Sequence, residues 1–438
     1  MIRRSFLPVI TSWLSRGNKH IVNVVYSSTL VTDSSHYVHS KGTENININI
    51  KEVKKKAKWK KSISILDDEE KLEAINHVEN VSVPDEISPD LKQSLMLERY
   101  KNTLYLIDRE AARRYVSFII NDLSKNTSFV AELNSGFGVL TAELLKAGVP
   151  LIHVYAPNKV SYSVLDDISN AYPGRLNIKD FNILKITKLY YMDRVIGGNR
   201  VQEILKEVKN KKWEDETSMQ IITATSSTEF FNHLLKSLLF RSCFMSRGRP
   251  VFYLAVPPSL WNKFVYNTSD SHRYNYRRVL FKLMFDAELL GTLDRKSFLP
   301  WPRQKKFTTK SAIERAKLDY AQIYVARIEP KIDFYSQLSE KDWLIFWYFA
   351  RHHLRRRTNK VIPELEKWVP GCGIRLIAKD YTIFTQFKDL TPAQIMELFI
   401  EFKSWPEYEN NYFLAFMMDS LKTNELQLLE LENLKLKE

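Results

Sequence analysis

The chain has 438 residues, with 65 Lys and Arg against 51 Asp and Glu, which gives a formal net charge of +14 at pH 7. Its two cysteines, Cys243 and Cys372, are too few for a disulfide framework or a cysteine metal site. Apolar runs stay well below the ~20 residues that a membrane-spanning helix needs, so a basic globular protein with two or three domains is expected.

The first 32 residues are predicted to be a mitochondrial presequence. Serines, threonines and large apolar residues alternate with basic residues, and no acid precedes Asp33. A secretory signal has a continuous apolar segment, whereas Pro8 and several charges interrupt this one. We therefore expect import to the mitochondrial matrix and nucleoid, with a basic N-terminus that has no targeting role as the alternative. The basic residues are Arg3, Arg4, Arg16 and Lys19.

Residues 33–100 are predicted to be a basic and polar linker region. Residues 1–61 contain twelve Lys and Arg against three acids, so they carry +9 of the total charge of +14. The high net charge therefore describes mainly the N-terminal segment. The basic run from Lys54 to Lys61 suits either a nonspecific phosphate-binding arm or a solvated linker.

Between residues 101 and 330, short apolar runs alternate with helical patterns, which predicts an α/β fold with a mostly parallel sheet. Residues 331–420 have aromatic helical patterns and predict a smaller helical domain. Residues 421–438 alternate Leu with Glu and Lys and are predicted to be a tail, either a loosely docked amphipathic helix or a frayed end. Strands are predicted at 128–131, 151–155, 219–224 and 251–256, and helices near 109–124, 139–147, 201–210, 229–240 and 275–290.

A glycine-containing turn, Glu132-Leu-Asn-Ser-Gly136-Phe-Gly138, stands between the first predicted strand and the helix at 139–147. A strand, a tight turn and a helix N-terminus together bring the backbone against a nucleotide-like ligand. By itself this pattern is weak, because many α/β proteins use such a turn only to reverse the chain. A second motif, Phe298-Leu-Pro300-Trp-Pro302, follows far downstream.

The order of these two motifs resembles that of the rRNA adenine dimethyltransferases, over roughly residues 103–370. Within that family the chain is most similar to the mitochondrial transcription factor B branch, in particular its transcription-dedicated members. The resemblance implies a class I S-adenosylmethionine-dependent methyltransferase (Rossmann-like) domain at 101–330, followed by the helical domain at 331–420. Supporting motifs are Tyr105-Leu-Ile-Asp108, Lys179-Asp180-Phe181 and Ala326-Arg-Ile-Glu-Pro330.

The resemblance also implies where S-adenosylmethionine would bind. Asn134 replaces the first glycine of the family's turn, and Tyr155 stands near the position of the carboxylate that accepts both ribose hydroxyls. Each such charge-assisted hydrogen bond contributes roughly 1.5–3 kcal/mol. Asp180 matches the residue that contacts the adenine amine. Because the other two elements are altered, we expect cofactor binding to be weak or lost. The vestigial cofactor residues are Leu106, Asn134, Gly136, Gly138, Tyr155 and Asp180.

The family's reaction motif is Asn-Leu/Pro-Pro-Phe/Tyr. In the family, the Asn side chain and a backbone carbonyl accept the hydrogens of the adenine amine, and the aromatic ring stacks on the flipped base. At the equivalent strand end this chain has Thr223, Ala224, Thr225 and Ser226, while Phe230 and Phe231 fall on the next helix and are expected to be core residues. We therefore expect no catalytic residue at this position and no useful adenine methylation.

Three basic clusters lie near residues 230–285, 295–310 and 351–360. Aromatic residues such as Tyr274 and Tyr276 stand between their Lys and Arg residues. Cations that follow phosphates and rings that stack on bases suit single-stranded nucleic acid, although each cluster alone is also typical of a solvated face. No metal is expected, because adjacent His352 and His353 point about 100° apart on a helix. The predicted nucleic-acid contacts are Arg351, Arg355, Arg356, Arg357, Arg303, Arg277 and Arg278.

The resemblance implies a mitochondrial transcription initiation factor. Such a protein joins the mitochondrial RNA polymerase at promoter DNA and binds the single-stranded non-template region after melting. Two alternatives remain open from the sequence: a mitochondrial small-subunit rRNA adenine N6-dimethyltransferase, and an assembly factor that binds rRNA without catalysis. No membrane partner is expected.

Overall fold

The computed structural model describes residues 103–126, 129–156, 160–181, 183, 186–265, 274–300, 309–356, 358–417 and 419. The predicted presequence, the whole linker region (residues 33–100) and the predicted tail (residues 421–438) lie outside these ranges. Among the helices that the structure describes, none has the length and apolar character needed to cross a membrane.

A seven-stranded mixed sheet forms the centre of the fold, in the order β4-β3-β2-β5-β6-β9-β7. Strands β2 to β6 run parallel, whereas β9 is antiparallel to both of its neighbours. The strands are β1 (Tyr105–Leu106), β2 (Val130–Leu133), β3 (Ile152–Tyr155), β4 (Leu176–Lys179), β5 (Met219–Ala224), β6 (Pro250–Val256), β7 (Phe285–Asp294), β8 (Phe298–Leu299) and β9 (Gln322–Pro330). Strands β1 and β8 form a separate antiparallel pair.

This topology confirms the predicted class I methyltransferase (Rossmann-like) fold. The chain order of the parallel strands reverses between β2 and β5, and ligands of open α/β sheets bind at the carboxyl ends of the strands beside such a reversal. The glycine turn follows β2, and residues 223–226 lie at the end of β5. The fold therefore brings both predicted motifs to the same edge of the sheet.

Helices cover both faces of the sheet, and further helices follow β9. In the α/β part they are α1 (Arg109–Leu123), α2 (Val139–Lys146), α3 (Val160–Ala171), α4 (Ile186–Val195), α5 (Arg200–Ile204), α6 (Thr228–Leu239), α7 (Pro258–Phe264), α8 (Tyr276–Met284) and α9 (Lys310–Ala321). Beyond β9 they are α10 (Phe334–Gln337), α11 (Glu340–His353), α12 (Val361–Leu365), α13 (Gly373–Ile377) and α14 (Pro392–Ser404), with a last helical segment at 412–417.

Several helices begin where a polar side chain accepts a hydrogen bond from a backbone N–H group of the first turn. Asp108 caps α1, Ser227 caps α6 and Ser339 caps α11 in this way. Helix α14 starts with Thr391 and Gln394, whose side chains each accept a hydrogen bond from the backbone N–H of the other residue, and with Pro392 in the first turn. These are strong N-terminal signals, and each fixes a helix boundary.

The hydrophobic core has two parts, one on each face of the sheet. One part lies under α1, α2 and α3. The other joins the opposite face to the helices beyond β9, so that Phe231 of α6 and Phe281 of α8 belong to the same cluster as Phe349 of α11 and Phe399 of α14. The helical region after Pro330 therefore shares its core with the α/β part.

Two helix predictions differ from the structure. The helix expected at 275–290 ends at Met284, and Phe285 begins the ten-residue strand β7. The helix expected at 201–210 spans only Arg200–Ile204. In the first case the pairing of β7 with β9 overrides local helical preference. A bulge in β7 falls between Leu289 and Gly291, where a side chain would collide with the ring of Phe118.

Candidate functional site

The glycine turn after β2 has the backbone geometry that a close approach requires. Asn134, Gly136 and Gly138 have φ angles of 58°, 60° and 66°, which lie in the left-handed region. A Cβ atom on Gly136 would lie 2.7 Å from Cδ1 of Tyr105, and one on Gly138 would lie 2.6 Å from Cδ1 of Ile168. Both glycines are therefore required by packing as well as by φ, as the sequence pattern indicates.

The same turn contains two buried polar atoms that lack a hydrogen-bond partner in the described structure, Nδ2 of Asn134 and Oγ of Ser135. Buried polar atoms are nearly always hydrogen-bonded in folded proteins, because an unpaired one costs free energy. The backbone N–H of Asn134 donates to the carbonyl of Tyr155 over 3.0 Å, which places the turn beside the end of β3. The turn thus fits one part of a bound S-adenosylmethionine.

The end of β3 does not supply the carboxylate that the ribose would need. Tyr155 is buried in the core, and its hydroxyl lies 3.4 Å from the carbonyl oxygen of Ile204, to which it donates. Burial and the nearby Glu207 raise the pKa of the Tyr155 hydroxyl, so it stays neutral. The next residue, Ala156, has no polar side chain. Neither Tyr155 nor Ala156 therefore has a negatively charged oxygen that could accept hydrogen bonds from ribose hydroxyls.

Asp180 follows β4 and is exposed. The hydroxyl of Tyr162 in α3 donates to the carbonyl of Ala156 over 3.1 Å. Burial and the adjacent Asp180 raise the pKa of the Tyr162 hydroxyl. Tyr162 could not be predicted from the sequence, because its approach to Asp180 depends on how α3 packs along the sheet edge. Leu106 is buried in β1 and pairs with Phe298 of β8.

The end of β5 uses its polar groups for internal hydrogen bonds. The Thr223 hydroxyl donates to the carbonyl of Leu133 over 3.0 Å, and the Thr225 hydroxyl accepts from the backbone N–H of Ser227 over 3.1 Å. The backbone N–H of Leu104 donates to the carbonyl of Ala224 over 3.4 Å. Phe230 and Phe231 are buried in the core, as predicted. This strand end therefore has no amide side chain for an adenine amine and no aromatic ring for an adenine base.

Glu132, inside β2, is a buried acid next to the turn. It accepts a hydrogen bond of 2.7 Å from the hydroxyl of Thr141 in α2. Burial raises the pKa of Glu132 to about 7, although the hydrogen bond from Thr141 opposes the increase. The pair connects the strand before the turn to the helix after it, so its role is to hold the turn.

A group of four cations lies on helices that contribute to the part of the hydrophobic core extending to the helices beyond β9. We call it the basic patch, and it consists of Lys236 on α6, Lys263 on α7, Arg277 on α8 and Arg351 on α11. Burial and Arg351 lower the pKa of Lys236, and burial and Arg277 lower the pKa of Lys263. Within the described ranges, none of the four has a carboxylate within salt-bridge distance. An anion placed here would relieve this mutual repulsion.

Aromatic rings accompany the basic patch. The guanidinium of Arg277 lies 4.8 Å from the ring centre of Tyr276, and its Nε donates to Oδ1 of Asn232 over 3.0 Å. The ring of Tyr276 meets that of Trp347 edge-on, with centres 6.4 Å apart. Trp347 is one helical turn before Arg351 on α11. Trp347 is buried in the core, so Tyr276 is the half-buried ring beside these cations. Cations next to an accessible ring are the groups that bind the phosphates and bases of single-stranded nucleic acid.

The predicted nucleic-acid residues fall into three groups in the structure. Arg351, Arg355 and Arg356 are exposed, and Arg277 is half-buried in the basic patch. Arg278 corrects the prediction, because it is 1% exposed and donates to the backbone carbonyl of Asn262, so its side chain cannot reach a phosphate. The other two, Arg303 and Arg357, lie outside the described residues.

The basic cluster near residues 295–310 needs a similar correction at Arg295. Its side chain is buried and donates to the carbonyls of Phe298 over 2.6 Å and of Pro300. Burial lowers the pKa of Arg295 to about 10. This guanidinium holds the turn around β8 and offers nothing to solvent. The sequence alone could not distinguish Arg295 from an exposed basic side chain in the same cluster.

Comparison with known proteins finds no matching family model. The chain is 28% identical to the Drosophila melanogaster protein named mitochondrial dimethyladenosine transferase 2, over 76% of this chain and 83% of that protein. It is 21% identical to the Mus musculus protein of the same name, over 61% and 68%, and 20% identical to the Homo sapiens one, over 66% and 73%. These homologues agree with the predicted resemblance to the dimethyladenosine transferases.

Two solved structures are similar at lower identity. One is a dimethyladenosine transferase from Plasmodium falciparum, with a TM-score of 0.43 and 12% identity, over 66% of this chain and 95% of that one. The other is the 23S rRNA methyltransferase ErmE, with a TM-score of 0.43 and 13% identity, over 68% and 98%.

Proposed function

We propose that this chain is a mitochondrial nucleic-acid-binding protein that has kept a dimethyltransferase fold without its adenine-methylating chemistry. More specifically, we propose a transcription initiation factor that joins the mitochondrial RNA polymerase and holds the non-template strand of melted promoter DNA. The observation that carries the proposal is the end of β5, where Thr223 and Thr225 bond to the protein itself. The mitochondrial names of its relatives support the location.

The argument against methylation is chemical. The amine nitrogen of adenine is a weak nucleophile, since its lone pair is delocalised into the ring, and acceptors for its hydrogens are needed to raise its reactivity. Residues 223–226 offer threonine, alanine, threonine and serine, whose two threonine hydroxyls already have partners. With no ring to stack on a flipped base, positioning of adenine is also lost.

The cofactor would be held incompletely. Where S-adenosylmethionine binds, the residues that would hold it are the glycine turn with Asn134 and Ser135, and Asp180 on the adenine side. The cofactor supplies the methyl group in this class of reaction. The missing carboxylate at Tyr155 and Ala156 removes two charge-assisted hydrogen bonds, and each is worth roughly 1.5–3 kcal/mol. We therefore propose weak binding of the cofactor at most.

The basic patch supports the nucleic-acid part of the proposal. Opening several base pairs costs a few kcal/mol, and contacts to the exposed strand can offset that cost. Four cations without acidic partners in the described ranges attract phosphates, while the half-buried Tyr276 provides ring surface beside Arg277. Such contacts do not read sequence, so promoter choice would come from the polymerase.

Run-off transcription tests this proposal. The mitochondrial polymerase would be supplied with a closed or a premelted promoter, with and without the chain lacking residues 1–32. We expect the closed template to depend on the chain and the premelted template to depend on it much less. If neither template responds, the transcription role is wrong.

A second candidate function is adenine N6-dimethylation of the mitochondrial small-subunit rRNA, which the names of the three relatives favour. The two unpartnered polar atoms of the glycine turn also favour a retained ligand. Primer extension on rRNA incubated with the chain and S-adenosylmethionine detects dimethylated adenines as stops. A stop that depends on both components would establish this function, whereas co-purification with the small ribosomal subunit and no stop would indicate a non-catalytic assembly factor.

A further inference from the structure

Two histidines and a glutamate meet where α11 ends and α12 begins. His352 and His353 are the last residues of α11, and Glu364 lies in α12. One nitrogen of each imidazole and one carboxylate oxygen of Glu364 all lie within 4.8 Å of one another. We propose that these three residues form a binding site for a divalent transition metal ion, for which Zn²⁺ is the best-suited ion.

From the sequence no metal is expected here, because neighbouring residues of a helix point about 100° apart. At this helix end the side chains nevertheless lie close together. The two imidazole rings lie only 5.0 Å apart between their centres. Glu364 comes from another helix and completes the set, which a pattern of adjacent residues cannot reveal.

His353 gives an independent reason to infer a ligand. It is completely buried, and neither Nδ1 nor Nε2 has a hydrogen-bond partner among the described residues. A neutral imidazole has one donor and one acceptor, and leaving both unpaired in the interior is unfavourable. A metal ion would take the acceptor nitrogen. Since the ring stacks on Phe387 with centres 4.7 Å apart and planes at 11°, its orientation is already fixed.

The donor set fits Zn²⁺. Two imidazoles and one carboxylate occur together in zinc sites that leave the fourth tetrahedral position to water. Tetrahedral donors at about 2.1 Å from the metal stand about 3.4 Å from each other. Donors within 4.8 Å therefore need to move by roughly an ångström, which rotation of the half-buried His352 and of Glu364 can supply.

The surroundings are those of an ordered metal site. The ring of His352 meets the rings of Trp368 and Phe416 edge-on, with centres 5.2 and 5.4 Å apart. Phe416 is 47% exposed, so this aromatic surround is open to solvent on one side and leaves room for a water ligand. The apolar rings on the other sides strengthen the bond between a cation and its carboxylate ligand. The ion would join the end of α11 to α12.

Charges near the cluster oppose the ion as well as support it. Lys367 donates to Oε1 of Glu364 over 2.6 Å and so occupies the carboxylate, and Arg355 is the other cation that acts on His352. A metal ion must displace the ammonium of Lys367, whose side chain is 59% exposed and can move into solvent. Removal of Lys367 should therefore make the metal bind more tightly.

The test is a zinc titration of the full chain after dialysis against a chelator, with a colorimetric chelator as competitor. We expect one Zn²⁺ per chain, and a visible absorption band typical of tetrahedral coordination when Co²⁺ is used instead. The midpoint of thermal unfolding should rise with Zn²⁺ concentration, because an ion that binds only the folded state stabilises it.

The variants separate this site from unspecific binding. Glu364→Gln and His352→Gln should each weaken zinc affinity at least tenfold, while Lys367→Gln should strengthen it severalfold. The matched control is His153→Gln, which removes a histidine whose Nδ1 lies 3.1 Å from a carboxylate oxygen of Glu207 elsewhere in the fold. It should leave the affinity unchanged.

Two results would overturn the proposal. One is no stoichiometric binding to the wild-type chain, and the other is equal affinity in the wild type, Glu364→Gln and Lys367→Gln. Far-UV circular dichroism verifies that the variants fold. A gain of affinity in Lys367→Gln cannot come from misfolding, so this variant keeps the test decisive even if another variant is unstable. The outcome does not depend on the transcription assay.

Discussion

The hydroxyl of Thr223 donates to the backbone carbonyl of Leu133 over 3.0 Å, in the buried interior. This bond joins the end of β5 to the residue before the glycine turn. The position that would carry the amide of an adenine methyltransferase is therefore part of the framework of the fold. It supports the neighbouring glycine turn and presents no amide group to solvent.

Replacing Thr223 with valine should lower the free energy of unfolding by about 1–3 kcal/mol, because the carbonyl of Leu133 loses its partner in a buried place. Urea unfolding followed by circular dichroism measures this change. Methyl transfer to rRNA should be absent before and after the substitution. A variant that lost a measurable methylation activity of the wild type would contradict the structural role.

Glu132 should make the stability of the chain depend on pH. Its pKa rises from the ordinary value of 4.5 to about 7 in the folded state, so the folded chain binds a proton more tightly than the unfolded one. The favourable contribution of this group is therefore complete below pH 4.5 and is lost as the pH rises to about 7. The total loss is roughly 3 kcal/mol at about 1.4 kcal/mol per pKa unit.

Glu132→Gln removes this titration and retains an acceptor for Thr141. We expect the variant to be less sensitive to pH between 4.5 and 7 and to gain stability relative to the wild type above pH 7. Urea midpoints measured across this range, with the exposed Glu229→Gln as control, provide the comparison. An unchanged slope in Glu132→Gln would show that the acid titrates normally.

Tyr155→Phe should have little effect. The hydroxyl makes one long hydrogen bond of 3.4 Å to Ile204, so its loss costs about 1 kcal/mol or less. S-adenosylmethionine affinity, measured by calorimetric titration, should be equally weak in the wild type and the variant. Tight binding in the wild type that is lost in Tyr155→Phe would mean that the hydroxyl replaces the carboxylate after all.

The basic patch gives a prediction about salt. Lys236→Gln combined with Arg351→Gln removes two phosphate contacts, and each contact contributes about 0.7 to the slope of log affinity against log salt for a single strand. The slope should therefore fall by about 1.4. Fluorescence anisotropy with a labelled single-stranded oligonucleotide measures it. The control pair Lys125→Gln and Lys209→Gln changes exposed lysines elsewhere and should leave the slope almost unchanged.

Local patterns predicted the parts of the fold that depend on local chemistry. The turn at 134–138 follows from glycines that must adopt positive φ, and β5 and β6 follow from continuous apolar runs. Strand β7 could not be found in this way, because its residues continue a helical pattern and only pairing with β9 makes them extended. Tertiary packing decided that case.

For the candidate sites too, features set by residue type were predicted, and features set by tertiary packing were not. The replaced motif at 223–226 is visible in the sequence, since the chemistry depends on residue type. Whether a basic side chain can bind a phosphate depends on its burial, which the sequence does not show. Arg277 and its neighbour Arg278 were therefore predicted alike, although only Arg277 lies in the basic patch. The approach of Glu364 to His352 and His353 could not be predicted, because it depends on how the chain runs from α11 to α12.

The central claim, that this chain binds melted promoter DNA through the basic patch, is tested most directly by closed-promoter run-off transcription with the Lys236→Gln and Arg351→Gln double variant. We predict that this variant loses most of the stimulation that the wild-type chain gives on the closed template. On the premelted template both should give similar transcript levels, and the lysine control pair should behave as the wild type. Full stimulation by the double variant, or no response to the wild type, would contradict the account.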